Sequence, residues 1–406
     1  MNRTAMRERT EMTPQTIGAS RRWSMLALGV LGQSASALFV NGTPFLIPAL
    51  RDEGLSLTEA GVIVAMPTLG LVLTLIAWGW VVDRIGERKV LVSGLGLLCA
   101  AAAAASFTGP YILLGTFLLL GGMAAASTNG ASGRVIVGWF PPHRRGLAMG
   151  IRQTAQPLGV GLGAITLPSV ASAYSISAAL LVPAVMAGLA AVGCLLGIID
   201  PPRPDTAHAS KTGLLANPYR KDATLWRIHG VSVLLVIPQM TVWTFALVWL
   251  HDDYGWSLPA AGALVTAAQL LGAGGRIGAG ALSDAVGSRM RPLRWIATAA
   301  VVTMAALAAT SWVGWWIAIP LLVIASVITV SDNGLAFTAI AEIAGPYWSG
   351  RGLGVQNTGQ NLAGAAIPPL FGLLITTTGF SAAFLVAAAI ACVAIPLVPH
   401  DPESQY

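Results

Sequence analysis

A bilayer core is crossed by about 20 residues of α-helix, and apolar stretches of that length follow one another almost from end to end of this chain. Lipid offers the backbone no hydrogen-bond partner, so such stretches must become helices or the strands of a closed barrel. Barrel strands need only about 10 residues, which leaves helices. Twelve spans are read: 23–49, 58–82, 90–108, 111–140, 146–171, 177–199, 226–250, 258–283, 293–311, 313–341, 351–377 and 380–399. With 55% of its residues hydrophobic and 10% charged, the chain falls outside ordinary soluble domains.

Basic residues set the expected orientation. An even number of spans puts both termini on one side, and placing them in the cytoplasm puts Arg84, Arg88, Lys89, Arg144, Arg145, Arg289, Arg351 and the basic residues of 3–22 and 203–227 inside, with Arg51 alone outside. The expected layout is a cytoplasmic tail 1–22, a six-helix bundle 23–199, a cytoplasmic loop 200–225 rich in Pro, Asp, Lys and Arg, a second bundle 226–399, and a tail 400–406. The apolar run after residue 22 is too long for a signal-peptide core, so the first span is read as uncleaved. The net charge of +6 is scattered through short segments and forms no nucleic-acid patch. Cys99, Cys194 and Cys392 fall in three different spans without paired spacing, which supports neither a disulfide framework nor a metal centre, and no cofactor is expected.

Short polar motifs recur in order. The turn after span two carries Gly79, Asp83, Arg84, Gly86 and Arg88, and the turn after span eight carries Gly280, Asp284, Ala285, Gly287 and Arg289. Ser127-Thr-Asn129-Gly130 is echoed by Ser331-Asp332-Asn333-Gly334, and Arg145-Gly-Leu by Arg351-Gly-Leu. Gln153-Thr-Ala-Gln156 is echoed by Asn357-Thr-Gly-Gln360. Four registers repeating in one order indicate an internal duplication. Glycines permit a tight turn and close helix approach, while the carboxylates and guanidinia can make charge-assisted hydrogen bonds at the membrane face.

Four charges fall inside the spans: Arg134, Arg152, Arg276 and Asp332. Together they cost about 10 kcal/mol on insertion scales, so they must be paired, hydrated or functional. If Asp332 neutralises one arginine, two positive charges remain, and that favours an anionic substrate such as a carboxylate. Arg152 and Gln156 stand one helical turn apart and their repeat mates are Gln356 and Gln360, which together read as a polar stripe. Asp332 is the only acid well inside the membrane and is the candidate for carrying a proton, although a neighbouring arginine would instead hold it in a permanent ion pair. Gln33, Asn41, Asn129, Gln239, Trp243 and Gln269 can orient a small solute, with helix packing as the bland alternative for each. Pro44, Pro157, Pro238 and Pro368 are candidate bend points.

The twelve spans, the central loop and the Gly-x-x-x-Asp-Arg-x-Gly-x-Arg motif between spans two and three resemble the major facilitator superfamily of secondary transporters over essentially the whole chain. The resemblance implies an all-α membrane protein of two pseudo-symmetric six-helix bundles in the cell membrane, monomeric, working by alternating access. It implies that Asp83, with Arg84 and Arg88, latches the start of span eleven near Gly350 and Gly352, and that Asp284, with Arg289, latches the start of span five. It also implies that spans one, four, seven and ten line a cavity, that two, five, eight and eleven flank it, and that the rest face lipid.

Gly275-Arg276 through Asp284 is similar to span eight of oxalate, nitrate and monocarboxylate carriers, in which an arginine binds the anion. Trp139-Phe-Pro-Pro-His-Arg-Arg-Gly146 is similar to a loop of organic-anion and nitrate carriers. The leading expectation is therefore transport of a small anion, with Arg276, Arg152, Arg134, Asn41, Asn129, Gln156, Gln239, Gln356 and Gln360 as binding candidates and protons as the coupling ion. Proton-driven drug efflux ranks second, because Phe117 stands where that branch has an arginine and Gln156-Pro157 replaces its Gly-Pro pair. A membrane enzyme or receptor ranks last, since no loop exceeds about 25 residues and no histidine is counted inside a span.

Overall fold

A computed structural model describes residues 17–400. Most of the expected N-terminal tail and nearly all of the C-terminal tail lie outside the described residues. Within them there is no strand, and eleven helical segments are long and apolar enough to cross a bilayer. The expected span 146–171 is not among those eleven. It forms as two helices, Pro142–Gln153 and Ala155–Ala173, separated at Thr154. Pro157 accounts for the break, because it has no N–H to give the Gln153 carbonyl one turn earlier.

Spans four and ten are interrupted at the repeated Ser-x-Asn-Gly motif, and span one by the 3-10 turn Thr43–Leu46. Span four consists of Tyr111–Ala125 and Ser127–Trp139, and span ten of Ala318–Ile328 and Asp332–Ala344. Irregular backbone inside a membrane must find partners within the protein. At the break in span four the Met123 carbonyl accepts from the Trp78 indole at 2.7 Å and the Thr74 hydroxyl at 2.9 Å.

The chain folds into two compact units, and neither is contiguous in sequence. Among the described residues the first comprises 17–145, 158–217 and 344–351; the second comprises 146–157, 218–343 and 352–400. In the first, Leu57–Ile85 packs along Tyr111–Ala125, and Glu87–Ser106 packs along Ile176–Gly197. Small residues allow close approach: a Cβ on Gly122 would run into the Pro67 backbone of Leu57–Ile85, and one on Gly94 into the Ser127 side chain at the start of Ser127–Trp139. The segment 200–225 is not wholly irregular, since Thr206–Lys211 is helical and Pro218–Arg220 forms a 3-10 turn.

In the second unit, Met290–Trp312 and Thr224–Asp252 both pack against Phe380–Leu397. Their core includes Trp249, Leu307, Phe371 and Phe384, and the Trp249 indole donates to the Ser311 hydroxyl at 3.0 Å. Span seven, expected at 226–250, forms as Thr224–Asp252, and His229 within it is buried, contrary to the reading of every histidine as outside the spans.

Candidate functional site

The first unit contains a buried ion cluster at the turn after span two. Helix Leu57–Ile85 stops at Gly86, whose φ of +98° is open to glycine at little cost, so Asp83 stands in the last turn. Helix Ser349–Thr378 begins beside it, and a Cβ on Gly79 would run into the Gly350 carbonyl. One oxygen of Asp83 accepts from the Gly350 N–H at 2.8 Å and from Arg134 at 2.6 Å; the other accepts from the Arg351 N–H at 3.1 Å and its Nε at 2.9 Å. The first amides of a helix favour a carboxylate, so backbone and side chains act together here. Arg134 also reaches Glu87 at 2.9 Å and the Pro346 carbonyl at 2.6 Å, and Arg203 reaches the same Glu87 oxygen at 3.0 Å.

The corresponding cluster of the second unit is smaller. Gly287, left-handed at φ +66°, ends helix Leu258–Val286. Asp284 accepts from the Gly146 and Leu147 N–H groups at 2.9 and 2.8 Å and from Arg289 at 2.6 Å. Arg289 continues to Glu342 at 3.3 Å. Burial by itself would make the Arg289 guanidinium easier to deprotonate, but Glu342 and Asp284 outweigh it and hold its pKa above the ordinary arginine value.

A third polar group lies within the spans of the second unit. Arg276 is buried, and its Nη1 donates to the Gln153 carbonyl at 3.0 Å, the acceptor that Pro157 leaves free. The Arg276 guanidinium carbon is 5.6 Å from the centroid of the Trp243 ring. Neither the Arg276 Nε nor the Trp243 indole nitrogen has a hydrogen-bond partner. Among the described residues no carboxylate is within ion-pair distance of Arg276, although Asp332 is near enough to attract it. Asp332 opens helix Asp332–Ala344 with its carboxylate against the Asp332 and Asn333 amides. Beside it, Asn333 donates to Gln239 at 3.0 Å and accepts from Gln360 at 2.8 Å. Arg152 is also buried, 3.3 Å from the Gln153 side-chain oxygen and 5.9 Å from the Phe337 ring centroid.

The model of the Major Facilitator Superfamily matches residues 29–368. The chain belongs to that superfamily, and it is a transporter of the MFS type. It is 50% identical to the "Uncharacterized MFS-type transporter Rv2994" of Mycobacterium tuberculosis, across 96% of this chain and 87% of the relative. It is 26% identical to a "Probable sulfoacetate transporter SauU" of Cupriavidus necator, across 84% and 85% of the two chains. The crystal structure of the MFS transporter FucP in the outward conformation superposes with a TM-score of 0.74 at 16% identity, covering 92% of this chain and 97% of that one. The fold is the all-α membrane fold of this superfamily.

Within this MFS fold the residues singled out from the sequence separate into distinct places. Arg134 stands in the Asp83 cluster, engaged by Asp83, Glu87 and the Pro346 carbonyl. Arg84 lies over the Trp80 ring at 3.8 Å, whereas the Arg88 N–H donates to Asp200 at 2.6 Å and its guanidinium to the Leu195 carbonyl, so neither touches Asp83. The Arg152–Gln156 stripe does not form: the helix breaks between them, Arg152 is buried and Gln156 is exposed. Its repeat mate Gln356 instead binds the His229 Nδ1 at 2.7 Å, and the His229 Nε2 meets the Tyr219 hydroxyl at 2.9 Å. In the first unit Gln33 donates to Asn129 at 3.3 Å, and Asn41 is half-buried.

Glu87, Glu342, Gln153 and His229 are the site residues that the sequence reading passed over. Glu87 was hidden by a boundary: helix Glu87–Ser106 starts three residues before the expected span, and the carboxylate is buried rather than at a surface turn. Gln153 matters through its carbonyl, and the signal for that was Pro157 four residues on.

Proposed function

We propose that this superfamily member carries a small organic anion across the cell membrane by alternating access, with Arg276 as its anion-binding residue. One observation carries the reading: Arg276 is a buried guanidinium with no carboxylate partner and an unpartnered Nε, next to a second unpartnered N–H on Trp243. Such a charge is expensive inside a membrane unless an anion completes it. The relative described as a sulfoacetate transporter fits an anionic cargo. Arg152 adds a second buried positive charge to the same unit, and Asp332, also buried, is the acid we assign to couple movement of the anion to a proton. In this reading both termini face the cytoplasm, the six-helix halves 23–199 and 226–399 alternate about the bound anion, and the Asp83 and Asp284 clusters act as cytoplasmic latches.

The test is flux into proteoliposomes of the purified protein. Radiolabelled acetate, succinate and benzoate serve as anionic probes and a fluorescent cationic dye as the efflux probe, each with and without a pH gradient. Carboxylate uptake that Arg276→Gln abolishes is the expected result. Dye export that survives Arg276→Gln, with no carboxylate flux in either protein, overturns the reading in favour of drug efflux.

A further inference from the structure

We propose that Pro157, acting through the Gln153 carbonyl, positions Arg276 so that one edge of its guanidinium captures a planar carboxylate at two points; this rests on Arg276 binding the transported anion. In an unbroken helix the Gln153 carbonyl would accept the N–H of residue 157. Proline has none, and the chain turns at Thr154 before the helix resumes at Ala155. A buried carbonyl left without a donor is costly. Arg276 supplies the donor through Nη1 at 3.0 Å.

The approach is close because the backbone there is bare. A Cβ on Gly150 would stand 2.5 Å from the Arg276 carbonyl oxygen. With Nη1 committed, the guanidinium keeps its opposite edge, Nε and Nη2, whose N–H bonds run parallel and match the two oxygens of a carboxylate. The Nε is buried without a partner, and among the described residues Nη2 makes no hydrogen bond. The Trp243 indole, its ring centroid 5.6 Å from the guanidinium carbon, carries a third unpartnered donor. Gln153 thus serves both buried arginines, Arg276 with its main chain and Arg152 with its side chain.

The experiment measures KM and Vmax for acetate, succinate and benzoate uptake in proteoliposomes, with the Tm of each purified variant. Pro157→Ala returns an N–H to the helix and frees Arg276 to rotate. It is expected to raise KM about tenfold with Vmax and Tm close to the parent. Arg276→Lys keeps the charge and loses the fork; it is expected to raise KM at least as much and to remove any further effect of Pro157→Ala in the double variant. An unchanged KM in Arg276→Lys, or equal effects of Pro157→Ala in both backgrounds, overturns the positioning role. Unchanged uptake in Arg276→Gln overturns the underlying reading instead, whatever Pro157→Ala does. If Pro157→Ala does not fold, the Arg276→Lys arm decides alone.

Discussion

The carboxylate of Asp83 accepts the backbone N–H of Gly350 at 2.8 Å although 267 positions separate the two residues in sequence. The same carboxylate holds Arg134 and Arg351, so one side chain gathers the ends of three spans into the first unit. Asp83→Asn keeps the shape and removes the charge. Removing one partner from a buried charge network typically costs about 3 to 5 kcal/mol, because the remaining charges stay desolvated. The purified variant is expected to unfold at a clearly lower temperature. Asp284→Asn is expected to cost less, since Arg289 retains Glu342 and Asp284 engages one guanidinium rather than two. Equal losses in differential scanning fluorimetry would contradict that ordering.

Glycine separates close contact from mere flexibility. A Cβ on Gly146 would stand 2.8 Å from both Asp284 and Arg289 and would run into the Gly280 carbonyl, whereas Gly61 has nothing within 4 Å. Gly146→Val is expected to abolish folded protein or transport, while Gly61→Ala is neutral or raises stability by about 0.5 to 1 kcal/mol through helix propensity. Size-exclusion profiles of the two variants, purified side by side, check this.

His229 links two elements of the second unit: its Nδ1–H donates to the Gln356 side-chain oxygen and its Nε2 meets the Tyr219 hydroxyl, with the Tyr219 ring stacked on it at 5.7 Å. Tyr219→Phe removes the hydrogen bond to His229 and retains the stack, so a loss near 1 kcal/mol is expected. His229→Leu leaves the Gln356 side chain buried without its partner and is expected to cost about 2 to 3 kcal/mol. Thermal unfolding of both proteins measures the difference, and a larger effect from Tyr219→Phe would refute the assignment.

Eleven of the spans and the helix-ending turn motifs were legible in sequence because hydrophobic length and glycine and acid motifs are local patterns. What escaped was set by the partners that tertiary packing supplies. Arg134 reads as an intramembrane charge from its position in span four, yet it reaches Asp83 and Glu87, which lie on other helices. Gln156 falls on the face of Arg152 only if the helix runs straight, and Pro157 prevents that. Arg276 was singled out for its charge, whereas the feature that gives it a direction is a main-chain carbonyl, which residue type does not reveal.

The indole of Trp243 offers the sharpest test of how the anion is read. Its nitrogen is buried without an acceptor, while its ring lies 5.6 Å from the Arg276 guanidinium carbon. With the anion at Arg276 as proposed, the indole makes two separable contributions, a cation–π contact that holds the arginine and an N–H free for a carboxylate oxygen. Trp243→Phe keeps an aromatic face, with a smaller ring, and removes the donor. A hydrogen bond to a charged partner contributes about 1.5 to 3 kcal/mol, so KM for carboxylate uptake is expected to rise roughly 10- to 100-fold while Tm is almost unchanged. Trp243→Leu removes the face as well, and both KM and Tm are then expected to shift. An indole that serves only as packing gives the reverse pattern: Trp243→Phe leaves KM at the parent value and lowers Tm through the smaller ring it puts in the same space.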